Sequence, residues 1–209
     1  MHTGRCGWWL VGAACVVCLS PASGQRLLER VVARVSGYAI TLTDVRAAVA
    51  LGVVEAPASA DRDAVATDRL IDRQLMLAEV ARFAPPEPDA AAIAAEAAGI
   101  TARAGSDLAA VMASTGIDQG SIRDIARDTL RIQAYLDQRF GATVQLTEDE
   151  VTQYYRIHPD EFTRDGTLAP FAEVESLVRA RAGAERRAAT VAQWVRDLRA
   201  RSDVSLPKP

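Results

Sequence analysis

Few residues in this chain have the types and spacing that catalysis requires. Apart from His2, the only histidine is His158, and neither a second histidine nor a cysteine lies near it to complete a metal site. A serine hydrolase would need the same imidazole, and the chain contains no Gly-x-Ser-x-Gly elbow. Its glycines are dispersed and form no phosphate-binding loop. We therefore predict no catalytic residues, no metal ligands and no cofactor.

Carboxylates and arginines are more numerous, but their pattern favours ordinary surface roles. Glu148 and Glu150 fit the negatively charged start of a helix, where the helix dipole favours acidic side chains. Residues 179–201 contain many more arginines than acidic residues. An anionic partner is one interpretation of this excess, and pairing with acidic helices elsewhere is the favoured one. The formal net charge of −3 argues against a nucleic-acid partner.

Residues 1–24 are predicted to be a cleaved secretory signal peptide. His2 and Arg5 precede an apolar run over residues 8–19, and the small residues Ala22 and Gly24 follow it. The apolar run is shorter than the ~20 residues that a spanning helix needs, so cleavage is favoured over a membrane anchor. All the cysteines lie in this segment. We expect residues 25–209 to be an exported single domain without disulfides and without stable membrane insertion.

Periodicity in the remaining chain predicts a mainly α fold with a small β element. Val31–Val35 and Tyr38–Thr41 have β-type composition around a Ser-Gly turn, and Thr43 is the predicted N-cap of the next helix, ending near Leu51. Trp194, at helical spacing with apolar neighbours, is expected to lie in the core. A terminal strand at 202–206 is expected to pair with the first strands. The other predicted helices are 60–84, 87–104, 106–114, 121–140, 147–162 and 170–198.

Several of these segments carry motifs in a recognisable order. Residues 31–45 read as a strand, a turn and a helix start, and residues 147–162 combine a capping box with paired tyrosines and a phenylalanine. Together with residues 68–79, 122–131 and 171–204, they resemble the SurA-type periplasmic chaperones of the parvulin-family foldases. The resemblance implies a SurA-like chaperone domain with an N-terminal part, residues 28–162, and a C-terminal helix and strand, residues 170–206.

The chain departs from this family at one important place. Relatives carry a parvulin-type prolyl isomerase domain after the helix that ends near Phe162, and here only residues 163–170 precede Phe171. The paired histidines and the cysteine or aspartate of that active site have no counterpart. The resemblance therefore implies a chaperone module without the isomerase domain, and we predict that the protein is not an enzyme.

The function expected from this resemblance is an ATP-independent periplasmic chaperone. It would bind unfolded exported and outer-membrane proteins through an apolar groove. Candidate peptide-binding residues are Met112, Tyr154, Tyr155 and Phe162, because methionine adapts to varied partners and tyrosine joins apolar area to a polar tip. A core role is an equal alternative for each. The alternative functions are a divergent or inactive prolyl isomerase and an adaptor for a separate isomerase. A homodimer is a further possible assembly.

Overall fold

The fold is mainly helical with a small β element, as the sequence predicts, and the described residues also contain a second, two-stranded antiparallel sheet. A computed structural model describes residues 29–141 and 145–207, so the predicted signal peptide lies outside the described residues. The α-helices are α1 Leu42–Ala50, α2 Arg62–Phe83, α3 Ala90–Ala104, α4 Leu108–Thr115, α5 Gln119–Phe140, α6 Glu148–Ile157 and α7 Phe171–Ala200. The strands are β1 Val31–Val35, β2 Tyr38–Thr41, β3 Thr163–Arg164, β4 Thr167–Leu168 and β5 Val204–Ser205.

A three-stranded sheet joins the two ends of the described chain. Its strand order is β2-β1-β5, and both pairings are antiparallel. Ser36 and Gly37 connect β1 to β2 with φ values of 49° and 88°, the left-handed conformations that a two-residue hairpin turn requires. Val204 lies opposite Val35, so the predicted pairing of the terminal strand with the first strands is confirmed.

The N-terminus of α1 differs from the prediction. The cap is Thr41 and not Thr43: the amide of Asp44 donates to Thr41 Oγ1 over 3.1 Å, and the amide of Thr41 donates to the Asp44 carboxylate over 2.9 Å. This capping box requires a separation of three residues between the threonine and the acid. Thr41 has that separation from Asp44, whereas three residues after Thr43 stands Arg46.

The end of α6 also differs from the prediction. The helix ends at Ile157 and not near Phe162, because Pro159 cannot donate a backbone hydrogen bond and disfavours helical backbone at His158. Residues Pro159–Phe162 form a 3₁₀ turn, and the short hairpin of β3 and β4 follows it. The sequence Arg164-Asp165-Gly166 is typical of a turn, but nothing in the sequence indicates the two short strands.

Buried apolar residues form three clusters. The first joins the three-stranded sheet to α1, α2 and the C-terminal parts of α5 and α7, and it contains Trp194, as predicted. The second joins the end of α1 to α3 and α5. The third lies within residues 146–182, which we call the α6–α7 lobe. Helix α7 has 30 residues, about 45 Å of helix, and runs from this lobe to the first cluster.

Most of the arginines of α7 and its C-cap pair with acidic residues of other helices. Arg179 reaches Glu148 of α6 over 2.8 Å, and Arg199 contacts Asp72 of α2. Arg201 reaches the buried Glu79 of α2 over 3.0 Å. The interpretation of these arginines as partners of acidic helices is therefore confirmed at these positions.

The capping box of α1 gives a prediction about stability. We expect Thr41→Ala to lower the free energy of unfolding by about 1 kcal/mol, since an N-cap side chain is lost. Thr43→Ala, two residues further on, is the matched control and should change it by less than about 0.5 kcal/mol. Urea unfolding followed by circular dichroism measures both. Equal losses in the two variants would contradict the assignment of the cap to Thr41.

Candidate functional site

An open cleft of about 170 Å³ lies between β2, α1, α2 and α5. Residues that pack in the first and in the second buried cluster both contribute to its lining, and Val53 packs against both clusters. The apolar lining residues are Ile40, Ala47, Ala48, Val53, Leu70, Leu77, Ile117 and Ile125. The polar lining residues are Tyr38, Asp44, Arg73, Gln74 and Asp128.

Helical periodicity brings the lining residues of α2 to one face. Leu70, Arg73, Gln74 and Leu77 follow the spacing of three, four and seven residues that defines one side of a helix. Other faces of α2 supply buried residues to the first cluster, among them Leu75. The sequence therefore predicts a helix that is apolar on most faces, but not which face borders an open space.

Small residues on α1 help to leave the cleft open. Asp44, Ala47 and Ala48 share a face of the helix, and both alanines are almost completely buried. A methyl side chain fills little of the space between α1 and α2, so part of that space remains open as the cleft. The capping box at Thr41 fixes where this face of α1 begins.

Arg73 ties two walls of the cleft together. One of its Nη atoms donates to the carbonyl oxygen of Ile125 over 3.1 Å and to the hydroxyl of Thr129 over 2.9 Å, both on α5. Burial lowers the pKa of Arg73, and the negative charge of Asp128 opposes this effect. The guanidinium still remains charged at neutral pH, because its ordinary pKa lies far above 7.

Asp128 places a carboxylate in the cleft that no described residue satisfies with a hydrogen bond. Its nearest cation is Arg131 on the same helix, whose Nη1 lies 3.9 Å from Oδ1. Burial raises the pKa of Asp128, and the charges of Arg73 and Arg131 oppose the rise. A carboxylate in this position can accept a hydrogen bond or an ion pair from a ligand.

The pKa of Tyr38 is affected by the carboxylates of the cleft. Its side chain lines the cleft although the residue is 53% exposed. Burial raises the pKa of the Tyr38 hydroxyl, and the carboxylates of Asp44 and Asp128 raise it further. The hydroxyl therefore lies in a negative potential set by carboxylates on two different helices.

The residues proposed from the sequence for peptide binding lie elsewhere. Tyr154 and Phe162 are buried in the third cluster, where the rings of Tyr155 and Phe162 lie 5.5 Å apart. Tyr155 is half-buried and its hydroxyl donates to the carbonyl oxygen of Ala169 over 2.6 Å. Met112 is half-buried on α4 and does not belong to that cluster. The structure thus brings three of the four together, and their role in peptide binding stays a prediction.

His158 takes part in a local polar arrangement at the end of α6. Its ring stacks on Tyr154 with centroids 4.2 Å apart. Its Nδ1 lies 3.4 Å from Glu161, and its Nε2 lies 3.7 Å from Glu185 of α7. Within residues 29–141 and 145–207, no group of three or more histidine, cysteine or acidic side chains is placed to hold a metal ion.

The comparisons with known proteins give no assignment. The chain matches no model of a known protein family and no curated protein. In the part of the chain that the structure describes, no helix is both long and apolar enough to cross a membrane.

The burial of Phe162 gives a prediction that separates core from groove. Only 2% of this residue is exposed, so Phe162→Ala should destabilise the protein by about 3 to 5 kcal/mol through lost packing. Phe83→Ala is the control, because Phe83 is 59% exposed and its loss should cost much less. Thermal and urea unfolding measure both effects. A stable Phe162→Ala variant that has lost only client binding would instead place Phe162 in a groove.

Proposed function

We propose that this protein is an ATP-independent chaperone that binds unfolded exported polypeptides, with the cleft between β2, α1, α2 and α5 as a binding site. The observation that carries the proposal is an open, largely apolar cleft of about 170 Å³. A cavity of about 150 Å³ is large enough to hold benzene, so the cleft has room for one apolar side chain. The periplasm is the proposed compartment, on the strength of residues 1–24.

The size of the cleft sets the strength of binding. Complete burial of one leucine or phenylalanine side chain contributes about 1.5 to 3 kcal/mol. The ordering of a flexible client opposes this gain, so a single contact is weak and short-lived. An unfolded polypeptide offers many such side chains and can rebind through another one. Weak contacts of this kind let a client leave and fold without ATP hydrolysis.

The alternative function from another class is prolyl isomerisation. It rests on the resemblance to the parvulin-family foldases. Against it stands the segment in which relatives carry the isomerase domain, since residues 163–170 form only the β3–β4 hairpin and its flanks. An adaptor that works with a separate isomerase remains the second alternative and is compatible with the same segment.

An isomerisation assay tests the enzymatic alternative. We expect the cis-to-trans rate of a short proline peptide to stay at its uncatalysed value, with a time constant of tens to hundreds of seconds, even at high protein concentration. As a positive control, a known parvulin is added to this protein and measured in parallel, which shows that the assay detects catalysis. Acceleration that scales with the concentration of this protein alone would favour the isomerase.

An aggregation assay with a blocked cleft tests the chaperone proposal. An unfolded outer-membrane protein is diluted from urea, and light scattering is followed without nucleotide. We expect the chain from Gln25 onward to suppress scattering in proportion to its concentration. Gln74→Trp, which places a large ring in the cleft, should raise the concentration needed for half suppression by about tenfold, the effect of losing one apolar anchor.

The control for this variant is Ala64→Trp. Ala64 is exposed in the first turn of the same helix and does not line the cleft, so its suppression should equal that of the unsubstituted chain. Absence of suppression by the unsubstituted chain at large excess would contradict the chaperone proposal. Equal suppression by both tryptophan variants would place client binding outside the cleft.

A further inference from the structure

We propose that the cleft selects client segments in which an apolar side chain stands next to a lysine or arginine, with Asp128 pairing with the client's cation. The proposal rests on the proposed chaperone function and names the class of segment that the same site would take. Its basis is the placement of the Asp128 carboxylate, which has a 3.9 Å ion pair with Arg131 but no hydrogen-bond donor among the described residues, beside a space for one apolar side chain.

The apolar part of the segment is set by the lining. Ile40 of β2 and Leu70 and Leu77 of α2 border the cleft with aliphatic groups. The available space of about 170 Å³ accommodates one leucine, methionine or phenylalanine side chain but not two. Residues on either side of the anchor in the client therefore remain outside, at the polar lining residues.

Two carboxylates of the cleft determine which charge is favoured at those neighbouring client residues. Asp44 on α1 and Asp128 on α5 both line the cleft, and both act on the hydroxyl of Tyr38. Tyr38 is exposed, so a client residue beside the anchor would meet the same negative potential.

Arg73, the third charged residue that lines the cleft, donates hydrogen bonds to α5. Its Nη2 is committed to Ile125 and Thr129 of α5. The positive charge reduces the negative potential at Asp128 but leaves the carboxylate without a hydrogen-bond donor. An incoming ammonium or guanidinium group can supply that donor.

Asp128 is the better partner of the two carboxylates. Asp44 is already committed to the cap of α1, where it accepts from the amide and the hydroxyl of Thr41. Arg131, whose Nη1 lies 3.9 Å from Asp128, also has its Nε 3.8 Å from Glu87, so this arginine is shared between two acids. A cation brought by a client would therefore compete for Asp128 with an arginine whose charge is shared with Glu87.

Peptide binding measured by fluorescence anisotropy tests the inference. Four labelled peptides share a glycine-serine sequence and differ at the centre, which is Leu-Lys, Leu-Gln, Leu-Glu or Ala-Lys. With the chain from Gln25 onward at low salt, we expect Leu-Lys to bind about five- to tenfold more tightly than Leu-Glu, with Leu-Gln between them. Ala-Lys should bind more weakly than Leu-Lys, because it lacks the anchor.

Asp128→Asn identifies the group responsible. This variant should lose the preference for Leu-Lys over Leu-Glu and keep the preference for Leu-Lys over Ala-Lys. It should also fold, because burial disfavours the charge that it removes. Asp124→Asn is the matched control: Asp124 is an exposed acid one turn earlier on α5 and does not line the cleft, so the charge preference should remain.

The outcomes separate this inference from the proposed function. Equal binding of Leu-Lys and Leu-Glu, or a preference that survives Asp128→Asn, overturns the charge selection while suppression of aggregation leaves the chaperone standing. Failure of all four peptides to bind, together with failure to suppress aggregation, removes both. A second copy of this chain in the cleft would appear as concentration-dependent dimerisation that Gln74→Trp abolishes, and it would also overturn the inference.

Discussion

The pairing of β5 with β1 is the contact on which the arrangement of the described chain depends. It brings the residues after α7 back to the first hairpin, where the amide of Ser36 donates to the carbonyl oxygen of Asp203 over 2.8 Å. Trp194 and Leu198 on the last turns of α7 then complete the first buried cluster. Because this contact joins residues far apart in the chain, its formation carries the entropic cost of closing a long loop.

The same closure explains why the charged residues near the end of α7 matter for packing. Glu79 of α2 is buried, and Arg201 and Arg82 both reach its carboxylate. A buried carboxylate without a partner is costly, so the position of α2 and that of the chain after α7 are linked. Arg199 strengthens this link by contacting Asp72 on the same helix. The wall of the cleft that α2 provides is therefore fixed from the face of the helix that points away from the cleft.

Local signals predict most of the elements but not the cleft. The Ser36-Gly37 turn, the capping box from Thr147 to Glu150 and the end of the predicted helix 60–84 just before Pro85 all depend on short-range chemistry, and the structure agrees with each. The sequence also contains the signal for the cap at Thr41, because the three-residue separation between Thr41 and Asp44 is the pattern of a capping box. The strands β3 and β4 have two residues each, too few for any periodicity to show.

The cleft and the roles of the aromatic residues could not be predicted from the sequence, and both failures have the same physical reason. Apolar side chains look alike in the sequence whether they fill a core or border an open space, and the difference arises from neighbours more than fifty residues away, as Arg73 and Thr129 illustrate. Residue type alone favours tyrosine as a binding residue, yet the rings of Tyr154 and Tyr155 pack around Phe162.

The separation of the α6–α7 lobe from the cleft follows from its own core. Val151, Phe162 and Val178 are buried with one another, and none belongs to the first or second cluster. Its connections to the rest of the described chain include α7 itself and the ion pair between Arg187 and Asp137 of α5. A lobe with its own core can change at the β3–β4 hairpin without disturbing the packing around the cleft.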